Sequence, residues 1–196
     1  MAANNLRYKD KVVLVTGGSK GIGEGAVREF VKAGAKVVFC ARGVEVGKAL
    51  EAELNKTGPG EAFFMQCDVR NEEQIKATVE QTVARYNQLD CLVNNAGWHP
   101  PEEVIDDVTV EQFTSLLNFN LVSYFSFSKY SLPHLRKTKG NIINMSSLVS
   151  NIGQSHAISY VTTKGGIDAM TKAMAVDEAK YQVRVNRYPV QNYAIL

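Results

Sequence analysis

A glycine-rich segment between an apolar run and an amphipathic run constrains the fold of this chain more than any other feature. The segment is Thr16-Gly17-Gly18-Ser19-Lys20-Gly21-Ile22-Gly23, and after Lys11 the residues before it are all apolar. This run predicts a buried strand, and apolar residues at helical spacing as far as Gly34 predict a helix. A glycine loop in this position lets backbone N–H groups and a helix N-terminus approach a nucleotide phosphate. The sequence therefore favours a nucleotide site, the alternative being a structural turn.

Strand and helix patterns alternate along the rest of the chain, without a repeat or a linker. The predicted strands are 11–15, 36–40, 62–67, 89–93, 141–145 and 183–185, and the predicted helices after the first are 44–56, 71–86, 110–136 and 158–180. Right-handed crossovers between such elements give an α/β fold with a doubly wound parallel sheet in a single domain. Ligands of such sheets bind at the carboxyl ends of the strands, where the glycine loop lies.

A phenol, an ammonium and a hydroxyl stand near one another late in the sequence. Tyr160 and Lys164 lie one helical turn apart on a predicted helix, and Ser147 follows the fifth predicted strand. A Tyr-x-x-x-Lys pair alone is common by chance, because residues at i and i+4 share a helix face. Beside a nucleotide loop, the three groups predict an acid–base relay for hydride transfer on a carbonyl or a secondary alcohol.

Composition excludes several other classes of function. The net charge is +2, with 22 basic residues scattered among 20 acidic ones, which argues against nucleic acid and anionic membranes as partners. The sequence contains no long apolar run and no signal peptide, so we expect a cytoplasmic protein without a membrane span. Cys40, Cys67 and Cys91 lack the spacing of a metal site, so we predict three buried thiols and no metal.

The motifs together resemble those of the short-chain dehydrogenase/reductase family over about residues 1–186. The matching motifs are Thr16-Gly17-x-x-x-Gly21-x-Gly23, Asp68-Val69, Asn94-Asn95-Ala96-Gly97, Asn120, Ser147, Tyr160 and Lys164. Within the family, residues 94–101 and 146–154 most resemble the type-14 17β-hydroxysteroid dehydrogenases. The resemblance implies a Rossmann-like fold and NAD(P)-dependent interconversion of a secondary alcohol and a ketone. The substrate implied is a hydroxysteroid such as 17β-estradiol or a sugar such as L-fucose.

The resemblance also implies a role for each catalytic residue. Tyr160 would transfer the proton, and Lys164 would favour the phenolate and hold the nicotinamide ribose. Ser147 would donate a hydrogen bond to the substrate oxygen. Asn120 would complete a proton path to Lys164 through water, or would be a polar residue satisfied inside a long helix. His99 and Gln154 would lie with Ser147 at the substrate.

The residues implied for the cofactor surround the glycine loop and the following strand ends. They are Gly17, Ser19, Lys20, Gly21, Ile22, Gly23, Arg42, Asp68, Val69, Asn94, Ala96, Gly97, Tyr160 and Lys164. Asp68 would accept from the adenine amino group, and Asn94 would support the strand below the cofactor. An acid is absent where the second strand ends, and Arg42 with Lys20 could pair with a 2′-phosphate, which favours NADP. The narrower resemblance instead favours NAD.

The end of the chain departs from the family pattern. Residues 187–196 match no family motif, so we predict a divergent tail after a domain at 1–186, without the seventh strand and the substrate lid. The resemblance implies a homo-oligomer that pairs through helices 110–136 and 158–180. The sequence therefore leaves two hypotheses: a working oxidoreductase, or a truncated, inactive form that at most binds nucleotide or pairs with a full-length partner.

Overall fold

Six parallel strands form one sheet in the computed structural model, which describes residues 6–190. The strands are β1 (Val12–Thr16), β2 (Lys36–Ala41), β3 (Glu61–Gln66), β4 (Cys91–Asn94), β5 (Asn141–Ser147) and β6 (Arg184–Val190). Their order across the sheet is β3-β2-β1-β4-β5-β6. The order reverses between β1 and β4, so the predicted doubly wound α/β sheet is confirmed.

Helices cover both faces of this sheet. They are α1 (Gly21–Lys32), α2 (Val44–Thr57), α3 (Glu72–Tyr86), α4 (Val110–Leu117), α5 (Ser123–Thr138), α6 (Val149–Ile152) and α7 (Ile158–Glu178), and a π segment (Asn118–Val122) joins α4 to α5. One core packs residues of α1 and α2 on the sheet, and the other packs residues of α3, α5 and α7. In β1, Val13 and Val15 belong to the first core, whereas Val12 and Leu14 belong to the second. Successive side chains of a strand point to opposite faces, so one apolar strand serves both cores.

The short helix α6 is not predicted from the sequence, and two predicted elements differ in extent. The helix predicted at 110–136 is interrupted by the π segment, which contains Asn120. The strand predicted at 183–185 continues to Val190, and its last residues pair with β5 as far as Ser147. Part of the predicted tail is therefore a sheet strand, and residues 191–196 lie outside the described residues. Between residues 6 and 190, no helix is long and apolar enough to cross a membrane.

Candidate active site

A cleft of about 810 Å³ opens at the carboxyl ends of the strands. Most of the residues predicted for the cofactor and the relay line it, namely Gly17, Ser19, Lys20, Gly21, Ile22, Gly23, Arg42, Val69, Ala96, Gly97, His99, Ser147, Tyr160 and Lys164. The glycine loop follows β1, and Ser147 is the last residue of β5. The sheet therefore brings the loop and the relay, which are far apart in the sequence, to one edge.

The glycine loop has the shape that a phosphate cradle requires. Gly17 has a φ of +65°, a left-handed conformation that side chains disfavour. A Cβ on Gly23 would collide with the carbonyl oxygen of Gly17 and with the side-chain amide nitrogen, Nδ2, of Asn95. The loop is thus folded tightly onto the segment after β4 and leads directly into the N-terminus of α1. The first backbone N–H groups of a helix have no partners within it, so those of α1 can donate to a pyrophosphate.

Asn95 and Thr16 tie the glycine loop to the loop after β4. The Thr16 hydroxyl accepts from the backbone N–H groups of Asn95 and Ala96 at 2.9 and 3.0 Å. The Asn95 amide donates to the carbonyl oxygens of Thr16 at 2.9 Å and Gly17 at 3.2 Å. Asn95 lies within the Asn94-Asn95-Ala96-Gly97 motif, which predicts no role for it, although its hydrogen bonds fix the relative position of the two cofactor loops.

Asn94 lies below the cleft and does not line it. Its amide donates to Asn144 Oδ1 at 2.9 Å and Ser128 Oγ at 3.1 Å, and the Asn144 amide donates to Thr171 Oγ1 at 2.9 Å. This buried chain of hydrogen bonds joins β4 and β5 to helices on one face of the sheet. Its geometry suits the predicted supporting role rather than direct contact with a ligand.

The three relay residues come from two adjacent elements. Tyr160 and Lys164 stand one turn apart on α7, with the Lys164 ammonium 5.6 Å from the centre of the Tyr160 ring. The Lys164 Nζ donates to the backbone carbonyl of Met145 in β5 at 2.7 Å. This bond holds the buried ammonium against the strand that ends in Ser147.

Burial controls the protonation of both relay groups. It raises the pKa of the Tyr160 phenol, and the nearby Ser147 hydroxyl acts in the opposite direction. Burial also lowers the pKa of Lys164 to about 8, against the charge of Asp168, which raises it. The sequence predicts that the lysine makes the phenol more acidic, but in this structure desolvation is the larger effect on the phenol.

Asn120 is fully buried in the π segment and contacts the loop that carries Trp98. Its carbonyl oxygen accepts from the Trp98 N–H at 3.1 Å, and its amide donates to the Trp98 carbonyl at 2.9 Å and to Thr163 Oγ1 at 3.3 Å. These contacts agree with the alternative of a satisfied polar residue, and the proton path to Lys164 stays a prediction. A π segment often occurs at a functional site, and here it directs a side chain to the loop above the cleft.

His99 and Gln154 lie together beside Tyr160. The His99 ring centre is 4.3 Å from that of Tyr160, and its Nδ1 is 2.5 Å from the carbonyl oxygen of Pro100. A carbonyl can only accept, so Nδ1 carries the proton. The Gln154 amide nitrogen can only donate, so Nε2 accepts from it at 3.2 Å. The predicted substrate residues therefore present one acceptor and one amide near the phenol.

Arg42 is near the Asp68 carboxylate, which does not itself line the cleft. Arg42 lines the cleft, and its guanidinium is 6.0 Å from the centre of the Phe119 ring. Asp68 binds the Arg70 guanidinium through two nitrogens, with the shortest contact at 2.6 Å. This pairing lowers the pKa of Asp68 to about 2, so the carboxylate is ionised and acts as an acceptor. The three cysteines are buried, and residues 6–190 contain no cluster of side chains placed to hold a metal.

Comparison with known proteins agrees with this architecture. The family model described as short chain dehydrogenase matches residues 11–189. The chain belongs to the short-chain dehydrogenase family. A short-chain dehydrogenase from Mycobacterium smegmatis superposes with a TM-score of 0.90 at 30% identity, over 98% of this chain and 80% of that one.

Two relatives of this chain differ in their names and in their sequence identity to it. L-fucose dehydrogenase from Bos taurus is 50% identical over 94% of this chain and 66% of its own length. A 3beta-hydroxysteroid dehydrogenase from Mediterraneibacter gnavus is 33% identical over 92% of this chain and 65% of its own length. The chain thus spans slightly less than two thirds of these relatives. The relative at 50% identity carries the name of a sugar dehydrogenase, whereas the narrower sequence resemblance pointed to the type-14 17β-hydroxysteroid dehydrogenases.

Proposed function

We propose that this chain is an NAD(P)-dependent oxidoreductase that interconverts a secondary alcohol and a ketone. The observation that carries the proposal is that Ser147, Tyr160 and Lys164 open into the same cleft as the glycine loop. Hydride chemistry needs the reacting carbon to lie beside both the nicotinamide and a proton donor. One continuous cleft with a phosphate cradle at one end and the relay at the other suits this requirement.

The cleft can hold NAD(P), which supplies or accepts the hydride when bound. Gly17 and the N-terminus of α1 would receive the pyrophosphate, and Lys164 would hold the nicotinamide ribose. Asp68 would accept from the adenine amino group. Arg42 and Lys20, which both line the cleft, offer positive charge for a 2′-phosphate, which favours NADP.

The residues of the chain itself would perform the proton transfer. The raised pKa of Tyr160 keeps the phenol protonated near neutral pH, so it is ready to donate to the oxygen of a ketone. Ser147 would donate a hydrogen bond to the same oxygen as negative charge develops on it. In the direction of alcohol oxidation the phenol would have to lose its proton, a step that the Lys164 charge would favour.

A sugar such as L-fucose is the substrate class that we favour. The 50% identity to an L-fucose dehydrogenase supports it, and so do the polar groups of His99 and Gln154 beside Tyr160. A polyhydroxylated substrate could replace the hydrogen bond between Gln154 and His99, with one hydroxyl donating to the His99 Nε2 and another accepting from the Gln154 amide. A hydroxysteroid such as 17β-estradiol is the second candidate, supported by the relative named as a hydroxysteroid dehydrogenase.

The test is turnover of the purified chain with L-fucose and with 17β-estradiol, each with NAD and with NADP. The formation of reduced nicotinamide is followed by absorbance, and nucleotide binding is followed by fluorescence. We expect turnover with L-fucose, and we expect Tyr160→Phe to reduce kcat by about 10²- to 10⁴-fold because it removes the proton carrier. Nucleotide affinity should fall far less than kcat.

Tyr86→Phe is the matched control for this experiment. The Tyr86 hydroxyl donates to Glu61 at 2.7 Å, at the start of β3 and therefore at the edge of the sheet away from the cleft. This variant should keep full activity. Nucleotide binding without turnover of either substrate would contradict the proposal and favour the inactive form instead.

A further inference from the structure

Asp168 occupies the next turn of α7 after Lys164 and is almost fully buried. Its Oδ1 accepts from the Ser146 hydroxyl at 2.5 Å, and its Oδ2 accepts from the Ser150 hydroxyl at 2.6 Å. Arg187 of β6 lies 3.3 Å from Oδ2 without a hydrogen bond, so this contact is a charge pairing. Both carboxylate oxygens of Asp168 are thus engaged, which a buried charge requires.

The two serines that bind Asp168 lie on either side of Ser147. Ser146 precedes it in β5, and Ser150 follows it in α6. The Ser150 hydroxyl also lies 2.7 Å from the Ser147 carbonyl oxygen, so its single proton is shared between two acceptors. Asp168 therefore fastens the turn that carries Ser147 to the helix that carries Tyr160 and Lys164.

Asp168 also sets the charge around Lys164. The groups that face the ammonium are the Met145 carbonyl from β5, the Tyr124 ring from α5 and the Tyr160 ring on α7. None of these three is an anion near neutral pH. The Asp168 carboxylate is the negative charge that opposes the effect of burial on the pKa of Lys164, although Arg187 partly neutralises it.

We propose that Asp168 is a positioning residue of the proposed relay, which holds the Ser147 turn through Ser146 and Ser150 and places a carboxylate one helical turn from Lys164 on α7. The expected changes in kcat and in the pH profile rest on the proposed function, whereas the expected change in hydrogen exchange of the turn does not. A residue that served only stability would affect folding and leave both the turn and the ionisation of the lysine unchanged in the folded protein.

The experiment compares Asp168→Asn with the unchanged chain. Asn keeps one acceptor, but its NH₂ group can only donate, so one serine hydroxyl must turn to accept from it, and both bonds to the turn lose the strengthening effect of the carboxylate charge. Hydrogen exchange of residues 147–153 should become faster, and kcat should fall about 10- to 100-fold because a small displacement of a reacting group is costly. Loss of the carboxylate lowers the pKa of Lys164, so the alkaline limb of the activity profile should move to lower pH.

Two further variants separate the two roles of Asp168. Ser150→Ala removes one bond to the turn but leaves the carboxylate, so exchange should become faster while the alkaline limb stays in place. Glu178→Gln is the matched control, because Glu178 is also a buried carboxylate of α7 and is paired with Arg136 at 2.6 Å. It should alter stability without changing the exchange of the turn or the pH profile.

The outcomes distinguish this inference from the proposed function. If the unchanged chain shows no turnover, the proposed function fails, and exchange of residues 147–153 alone decides the role of Asp168. Equal exchange in the folded Asp168→Asn and Glu178→Gln variants would overturn the positioning role. An alkaline limb that stays in place in Asp168→Asn would overturn the electrostatic part.

Discussion

The charged ammonium of Lys164 lies in a buried position, where a charge destabilises the fold. Its side chain is buried, one hydrogen bond to Met145 holds the ammonium, and burial lowers its pKa from 10.5 to about 8. Between these two values the folded chain has released a proton that the unfolded chain still binds. The stability of the fold therefore increases with pH across this window as far as Lys164 alone is concerned.

Replacing Lys164 by Met should remove this pH dependence. Below pH 8 the variant is relieved of a buried charge, a gain on the order of 1–3 kcal/mol that the unpaired Met145 carbonyl partly offsets. As the pH rises from about 8 towards 10.5, the lysine of the unchanged chain becomes neutral and this gain should shrink. Urea unfolding of both proteins at several pH values measures the difference. If the difference in unfolding free energy between the two proteins is constant with pH, this assignment of the charge is wrong. The Lys164→Met variant should also lose turnover at every pH.

The sequence identifies the reacting side chains more readily than the residues that hold them. Tyr160, Lys164 and Ser147 could be chosen because their chemistry fits an acid–base relay beside a glycine loop, although the Tyr-x-x-x-Lys spacing alone is common by chance. Asp168 lies at the next i+4 position, where a charged residue usually faces solvent, and only the packing of α7 on β5 shows that it is buried. Asn95 was missed for a similar reason, since its hydrogen bonds join loops that are distant in the sequence.

The glycine loop and α1 form one element whose geometry depends on individual glycines. Gly23 and Gly25 both lie in the first turns of α1, but a Cβ on Gly23 meets Gly17 and Asn95, whereas a Cβ on Gly25 meets no atom within 4 Å. The atoms that a Cβ on Gly23 would meet belong to the Gly17 backbone and to the side-chain amide of Asn95, which is hydrogen-bonded. These atoms cannot move without opening the loop.

Gly23→Ala and Gly25→Ala should therefore have opposite effects. Overpacking at Gly23 should destabilise the chain by about 1–3 kcal/mol and weaken nucleotide binding about 10-fold or more, because the phosphate cradle is displaced. Alanine at Gly25 should stabilise α1 by about 0.5–1 kcal/mol and leave binding unchanged. Thermal melts and fluorescence titration with NADPH measure both. Similar losses of affinity in the two variants would show that the close approach of Gly23 is not what shapes the site.

The elements that periodicity failed to predict depend on contacts between distant residues. The π segment is stabilised by the hydrogen bonds of Asn120 to Trp98 and Thr163. These bonds cannot be recognised from the spacing of apolar residues in the sequence. The extension of β6 includes Arg187 and Pro189, which do not form an apolar run. It forms because the β5 backbone pairs with it as far as Ser147, and proline is tolerated because β6 has one neighbouring strand among residues 6–190.

At the scale of the whole molecule, some helix faces are apolar and exposed. Val110 at the start of α4, Val122 in the π segment and Phe125 in α5 are exposed by 82%, 45% and 52%. Val176 near the end of α7 is exposed by 77%. Side chains of this kind on the helices at 110–136 and 158–180 support the predicted pairing of two copies through these helices.

Phe125→Glu tests this pairing. We expect the unchanged chain to sediment as a dimer or larger oligomer, because burial of these apolar side chains favours association. A charge in place of the phenyl ring should raise the dissociation constant about 30-fold or more, since loss of a central aromatic contact costs about 2 kcal/mol or more. Sedimentation across a range of concentrations measures both proteins. Ile105→Glu is the control, because Ile105 is 71% exposed but lies in the loop before α4 and outside these helices. If the unchanged chain sediments as a monomer, or if both variants dissociate equally, these helices are not the interface.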